Sequence, residues 1–162
     1  MKPSVEIVVA DAGPLIALAR LDLLALPARL FSRVLLTPTV LHECAARPGN
    51  HEIARVLAAL GAGALEQVHA PLPESAWQVD AGEASSIALA IQLDAGVLMD
   101  DKLGRELARH LARPVIGTVG LLLLAKRKGL LAELRPLLDA LVASGYFLGA
   151  DLVAAALHQA GE

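Results

Sequence analysis

Aromatic side chains and cysteine are both scarce in this sequence. Only 2% of the 162 residues are aromatic, and Cys44 is the one cysteine. Since 56% of the residues are nevertheless hydrophobic, the core must be filled by aliphatic side chains. A single cysteine excludes both an internal disulfide and a thiolate zinc cluster, and it agrees with a reducing, cytoplasmic location. We expect Cys44 to be a buried small hydrophobe.

Long apolar runs and an excess of positive charge are also missing. No uncharged run approaches the roughly 20 residues that a membrane-spanning helix needs, so we expect no membrane association. The net charge of −3 argues against nucleic-acid binding through bulk positive charge alone. Basic residues gather at 102–113 and at 126–128, where solvated helix faces are an equally good interpretation. The length favours one domain over 1–162.

Several common enzyme motifs are absent. The chain contains no G-x-S-x-G, P-loop or G-x-G-x-x-G pattern, which disfavours a serine hydrolase, a nucleotide triphosphatase and a dinucleotide enzyme. Its five histidines are not spaced as metal ligands on one helix, so we interpret them as incidental.

Short apolar runs alternate with helical patterns along the chain. The runs at 5–10, 34–36, 65–68, 96–99 and 115–116 predict strands. Gly13 and Pro14 predict a turn after the first strand, followed by a helix from Leu15. Thr37 and Pro38 predict the start of another helix. Further helices are predicted over 52–60, 83–93, 102–111, 118–128, 132–143 and 149–160. This alternation predicts a three-layer α/β/α sandwich with a central, mostly parallel sheet.

Acidic residues stand where these strands end. Asp11 and the Asp100-Asp101 pair directly follow buried strands, at the edge where open parallel sheets bind ligands. Glu43 and Glu83 lie in the helices that we expect beside this edge. Several carboxylates in one half-buried site raise each other's pKa. A hard divalent cation relieves that repulsion and favours hydrolysis of phosphoesters.

Each acid also has a purely structural interpretation. Asp11 and the Asp100-Asp101 pair are well placed to cap helices. Glu83 in a first helical turn is favoured by the helix dipole. Glu43 is equally well explained as a surface helix residue. The functional interpretation therefore depends on the whole set of acids meeting in one pocket.

Five segments follow one another along the chain: 8–18 (VVADAGPLIAL), 37–43 (TPTVLHE), 82–90 (GEASSIALA), 97–102 (VLMDDK) and 116–129, with IGTVG at its start and AKRKG at its end. In this order they resemble the PIN-domain nucleases, in particular a prokaryotic branch often associated with toxin–antitoxin pairs. The chain differs from many members at Ala12 and Gly13, where a hydroxyl residue often follows the first aspartate, and at Met99, where many have threonine.

The resemblance implies a function for the acids and their surroundings. It puts metal ligands at Asp11, Glu43, Glu83 and Asp101, with Asp100 as neighbour or substitute, and it implies Mg²⁺ or Mn²⁺ and cleavage of RNA. It also implies a PIN-like fold, frequent dimers and, in toxin pairs, a small antitoxin protein. We expect flanking RNA phosphates to contact Lys102, Arg105, Lys126, Arg127 and Lys128.

Two other functions stay open at this point. A catalytically silent PIN-like module would bind RNA or a protein without cutting. A different Mg²⁺ phosphohydrolase would act on small phosphoesters, although Gly13 stands where the haloacid-dehalogenase type needs a second aspartate. The apolar stretch 148–157 is explained by self-association or by core packing.

Overall fold

A parallel sheet forms the centre of the computed structural model, which describes residues 5–47 and 51–162. The strands are β1 (Ile7–Ala10), β2 (Arg33–Leu36), β3 (Glu66–Gln67), β4 (Gly96–Leu98) and β5 (Val115–Ile116). They lie in the order β3-β2-β1-β4-β5, and every neighbouring pair is parallel. The central strand β1 is buried apart from its first residue, as its unbroken apolar sequence predicts.

Helices connect the strands and cover the sheet. They are α1 (Ala12–Arg20), α2 (Pro27–Leu30), α3 (Pro38–Ala45), α4 (Glu52–Gly61), α5 (Ala81–Leu93), α6 (Lys102–His110), α7 (Thr118–Arg127), α8 (Arg135–Ala143) and α9 (Ala150–Ala160). Thr37 caps α3 as predicted, since its side chain accepts a hydrogen bond from the Val40 N–H at 3.2 Å.

The core has two parts, one on each face of the sheet. Alternate residues of a strand point to opposite faces, so Val8 and Ala10 belong to one part and Val9 to the other. The larger part takes in α1, α3, α4 and the helices α7 to α9, and it contains the fully buried Cys44. The smaller part lies under α5 and α6. The predicted three-layer α/β/α sandwich is therefore confirmed, with a sheet that is parallel throughout.

Two local predictions were wrong. The chain does not turn at Gly13 and Pro14, because α1 begins at Ala12 and Pro14 lies in its first turn. A first-turn proline is tolerated because its missing N–H would have no partner inside the helix. The short helix α2 was not predicted. Its four residues span little more than one turn, too few for a helical period to appear.

The apolar carboxyl-terminal stretch mostly contributes to the core. Helix α9 packs against α7 and buries Ala156 and Leu157, although Leu152 stays exposed. Core packing thus explains much of its apolar character. Among the described residues, no helix combines the length and the hydropathy needed to cross a membrane.

Candidate metal centre

A pocket of about 580 Å³ lies at the carboxyl ends of β1 and β4. All the predicted acids line it, together with one that was not predicted, Asp80. The carboxylates come from separate parts of the chain, because parallel strands and the helices that follow them bring their ends to one edge. The acids lining the pocket are Asp11, Glu43, Asp80, Glu83, Asp100 and Asp101.

Asp11 is more deeply buried than Asp100 and Asp101, the other two acids that follow strands. It is 6% exposed, and its backbone N–H donates to the Leu98 carbonyl at 2.9 Å, which fixes the residue between β1 and β4. Its Oδ1 atom is buried without a hydrogen-bond partner. Burial, followed by the charges of Asp80, Glu43 and Asp101, raises the pKa of Asp11 to about 7. A buried carboxylate oxygen with no donor is costly and calls for a cation or a proton.

Helix α5 begins inside the pocket with two mutually capping acids. The Asp80 carboxylate accepts from the Glu83 N–H at 2.9 Å, and the Glu83 carboxylate accepts from the Asp80 N–H at 3.3 Å. This reciprocal pair satisfies N–H groups that have no acceptor within the helix. Burial and the charges of Asp80, Asp101 and Asp11 raise the pKa of Glu83. Glu83 is therefore a cap and at the same time a member of a crowded acidic cluster.

Glu43 reaches the same helix end from α3. Its Oε1 accepts from the Gly82 N–H at 2.9 Å. A β-carbon at position 82 would overlap the Glu43 carboxylate, so only glycine leaves room for this approach. Burial and the charge of Asp80 raise the pKa of Glu43, partly offset by the hydrogen bond from Gly82. This hydrogen bond thus holds the Glu43 carboxylate at the start of α5, where it lines the pocket with the other acids.

The two aspartates after β4 have different environments. Asp101 caps α6, with Oδ2 accepting from the Gly104 N–H at 2.9 Å, and its charge raises the pKa of both Asp11 and Glu83. Asp100 instead accepts from the Thr118 N–H at 2.7 Å, from the Thr118 hydroxyl at 2.6 Å and from the Tyr146 hydroxyl. Asp101 therefore interacts by its charge with Asp11 and Glu83. Asp100 instead connects α7 and Tyr146 to the end of β4 through hydrogen bonds.

The basic residues predicted to contact RNA do not lie together. Lys102 lines the carboxylate pocket, and Arg105 lines a neighbouring one. Lys126 is engaged elsewhere, donating to Glu162 and to the Ala160 carbonyl at 2.8 Å each. Arg127 donates to Gln159 at 3.3 Å, and Lys128 lines an apolar pocket with residues at the start of β4 and β5. RNA contact by these residues stays a prediction, which the geometry favours most for Lys102 and Arg105.

Sequence reasoning missed several residues of the pocket. Asp80 had a local signal, because an aspartate three residues before a glutamate at a helix start is a capping-box pattern. Arg47 and Arg20 had no signal, since nothing local predicts that α3 and α1 bring them here. Tyr146 and Phe147 lie in the loop between α8 and α9. Their approach to β4 depends on how the last helices pack.

The donor set fits a hard divalent cation. It consists of carboxylate oxygens, as Mg²⁺ and Mn²⁺ prefer, and it includes the partnerless Asp11 oxygen. Within residues 5–47 and 51–162, no three or more Asp, Glu, His or Cys side chains lie close enough together to form a cage that could hold a metal ion. Most of these carboxylates instead use one oxygen on a helix N-terminus. Mg²⁺ binds through one or two carboxylates and keeps several waters, so it does not require such a cage.

The fold and this pocket define a class of protein: a parallel α/β sandwich with a carboxylate cluster, suited to a divalent cation, at the carboxyl ends of its central strands. A family model described as a PIN domain matches residues 7–162. The chain therefore belongs to the PIN-domain family, whose members are generally nucleases that use divalent metals. A search among curated proteins gave no match.

Proposed function

We propose that this protein is an endoribonuclease that depends on Mg²⁺ or Mn²⁺, with Asp11, Glu43, Glu83 and Asp101 as its metal ligands. One observation carries the proposal: Asp11 holds a buried, partnerless carboxylate oxygen in a pocket lined by five further acids. Burial and, after it, the charges of neighbouring acids raise the pKa values of Asp11, Glu43 and Glu83, and a bound cation would favour their ionised forms.

The residues of the pocket have separate roles in this proposal. A bound divalent cation supplies an activated water and stabilises charge on the leaving oxygen. Asp11 is fixed by its backbone hydrogen bond to β4 and Glu83 by the start of α5, which keeps both carboxylates at the pocket. Asp100 is a positioning residue, since Thr118 and Tyr146 already occupy both of its oxygens. This is why we assign the fourth ligand to Asp101.

Local positive charge would hold the RNA despite the negative net charge. Arg47 and Lys102 are exposed at the rim of the pocket, where they would contact phosphates on either side of the scissile bond. Arg20 is less suited, because it pairs with Glu52 at 2.9 Å. A toxin role with a small antitoxin, and a homodimer, stay predictions from the family resemblance.

Cleavage of a labelled single-stranded RNA tests the proposal. We expect products with Mg²⁺ or Mn²⁺, none with chelator, and loss of activity in Asp11→Asn. The matched control is Asp139→Asn, which removes an exposed aspartate of α8 that does not line the pocket. Undiminished cleavage by Asp11→Asn, with the control also active, would refute the assignment.

The same assay separates the two alternatives. A silent binding module would retain RNA without cutting it under any metal condition, and its calorimetric Mg²⁺ titration would not depend on Glu83. A small-phosphoester hydrolase would release phosphate from an aryl phosphate and leave RNA intact. Single-stranded DNA as a third substrate tests whether the sugar matters.

A further inference from the structure

A second pocket, of about 390 Å³, adjoins the carboxylate pocket. The two pockets share Asp100, Tyr146 and Phe147, so these residues separate one pocket from the other. Apart from Asp100 and Arg105, the second pocket is lined mainly by apolar groups and glycines. Its chemistry therefore differs sharply from that of the acidic pocket next to it.

Phe147 stands at the boundary between the two pockets. It is 89% exposed, in a sequence that has only two phenylalanines, one tyrosine and one tryptophan. Its neighbour Tyr146 is half-buried and donates its hydroxyl to Asp100, while the Tyr146 N–H donates to the Leu141 carbonyl at 3.1 Å. These two hydrogen bonds fix Tyr146, and the ring of the next residue, Phe147, is exposed to solvent beside the acids.

Arg105 adds a cation to the second pocket. Its guanidinium donates to the Met99 carbonyl at 2.8 Å, which holds the side chain in place with one of its five N–H donors. A β-carbon at Gly117 would lie 2.7 Å from Arg105 Nη1 and 3.0 Å from Asp100 Oδ1. Glycine at 117 therefore leaves the space that the guanidinium occupies beside this pocket.

We propose that the second pocket is a base-binding subsite, in which Phe147 stacks on one unpaired nucleobase next to the phosphodiester held at the acids. Arg105 contacts the phosphate or the edge of that nucleotide. An exposed aromatic ring beside a cation is how proteins hold single-stranded nucleic acid, because every base offers a flat face for stacking. Duplex bases are stacked on one another, so the subsite selects single strands. This inference rests on the proposed function.

Binding of a short, fluorescent single-stranded RNA, measured by anisotropy with Mg²⁺ in the Asp11→Asn background, tests the subsite. Phe147→Ala and Phe147→Leu should each weaken binding by about tenfold or more, as loss of one stacked base does, and Phe147→Trp should retain it. Moving one abasic site along the RNA should weaken binding at one position, and that loss should vanish in Phe147→Ala. Leu72→Ala is the control, since Leu72 is 97% exposed but lies outside both pockets.

The outcomes separate this inference from the proposed function. Equal binding by the parent and Phe147→Ala, or an unchanged abasic profile, would overturn the subsite even if the native chain cleaves RNA. Full rescue by Phe147→Leu would also overturn it and indicate an apolar protein contact instead. Phe147-dependent base binding in a native chain that never cleaves would keep the subsite and reject the nuclease. Because Phe147 is exposed, its variants should unfold at the same temperature as the Asp11→Asn protein in which they are made.

Discussion

Replacing Asp11 with asparagine is predicted to stabilise the metal-free protein, and to do so more at high pH than at low pH. The pKa of Asp11 is raised from 3.8 to about 7 in the folded protein, so the folded state holds its proton more tightly than the unfolded state does. The stability contributed by this group is complete below its unfolded pKa and is lost as pH rises through about 7. Asparagine has no proton to lose and escapes this cost.

The pKa shift sets the size of the effect. Three pKa units correspond to roughly 4 kcal/mol in the free energy of unfolding, of which roughly 2.5 kcal/mol is lost between pH 5 and pH 8. The advantage of Asp11→Asn over the parent should grow by about that amount over the same interval. Removing the Asp11 charge also lowers the pKa of Glu83, which further increases the free energy of unfolding of Asp11→Asn relative to the parent. Relaxation of the pocket and entry of water would reduce this difference in stability between Asp11→Asn and the parent.

Urea unfolding in the presence of chelator at several pH values measures this difference. Asp139→Asn is the matched control and should follow the parent at every pH. Adding Mg²⁺ should stabilise the parent and have less effect on Asp11→Asn, because the ligand is lost. An advantage for Asp11→Asn that is the same at pH 5 and pH 8 would show that Asp11 is not held protonated by burial and neighbouring charge.

Two further substitutions test other parts of the structure. Gly82→Ala should displace the Glu43 carboxylate and reduce cleavage at limiting Mg²⁺ by on the order of tenfold, with little change in unfolding temperature. Gly61→Ala is the control, since a β-carbon there meets nothing within 4 Å. Equal activity of the two variants would contradict the steric argument. Glu162→Gln should lower the unfolding temperature at neutral pH, because the Glu162 carboxylate accepts from Lys126 and from the Leu134 and Arg135 N–H groups. Those bonds lower the pKa of Glu162 to about 2, so the difference should shrink as pH falls from the unfolded value of 4.5 towards 2; Glu133→Gln should change nothing.

The fold was predictable because its signals are local. Buried parallel strands are unbroken apolar runs, and the helices between them carry their own caps, such as Thr37 on α3. The start of α1 was missed because a proline is compatible with both a turn and a first helical turn, and only the backbone path at Gly13 decides between them. Strand β3 was expected over 65–68 but spans Glu66–Gln67, since its length depends on pairing with β2.

The candidate site was predictable only where a residue's position follows from the sheet. Asp11 comes directly after β1 and Asp101 stands between β4 and α6. Glu43 and Glu83 lie in helices beside the same edge, so topology alone brings these acids together. Tyr146 and Phe147 reach the pocket through the packing of α7, α8 and α9, which no local pattern encodes. Lys126 illustrates the converse: its basic cluster is conspicuous in sequence, yet its ammonium group serves to anchor Glu162.

Helix capping explains how the acids stay together without a cation. The six acids that line the pocket repel each other when ionised, but four of them accept hydrogen bonds from helix starts. Asp80 and Glu83 accept from N–H groups at the start of α5, Glu43 accepts from Gly82 in the same turn, and Asp101 accepts at the start of α6. The positive ends of two helix dipoles therefore offset part of the repulsion. Each cap occupies one carboxylate oxygen in the bonds described and leaves the other available. Folding can thus assemble the cluster before a cation binds, and the partnerless Asp11 oxygen is where the remaining electrostatic cost is concentrated.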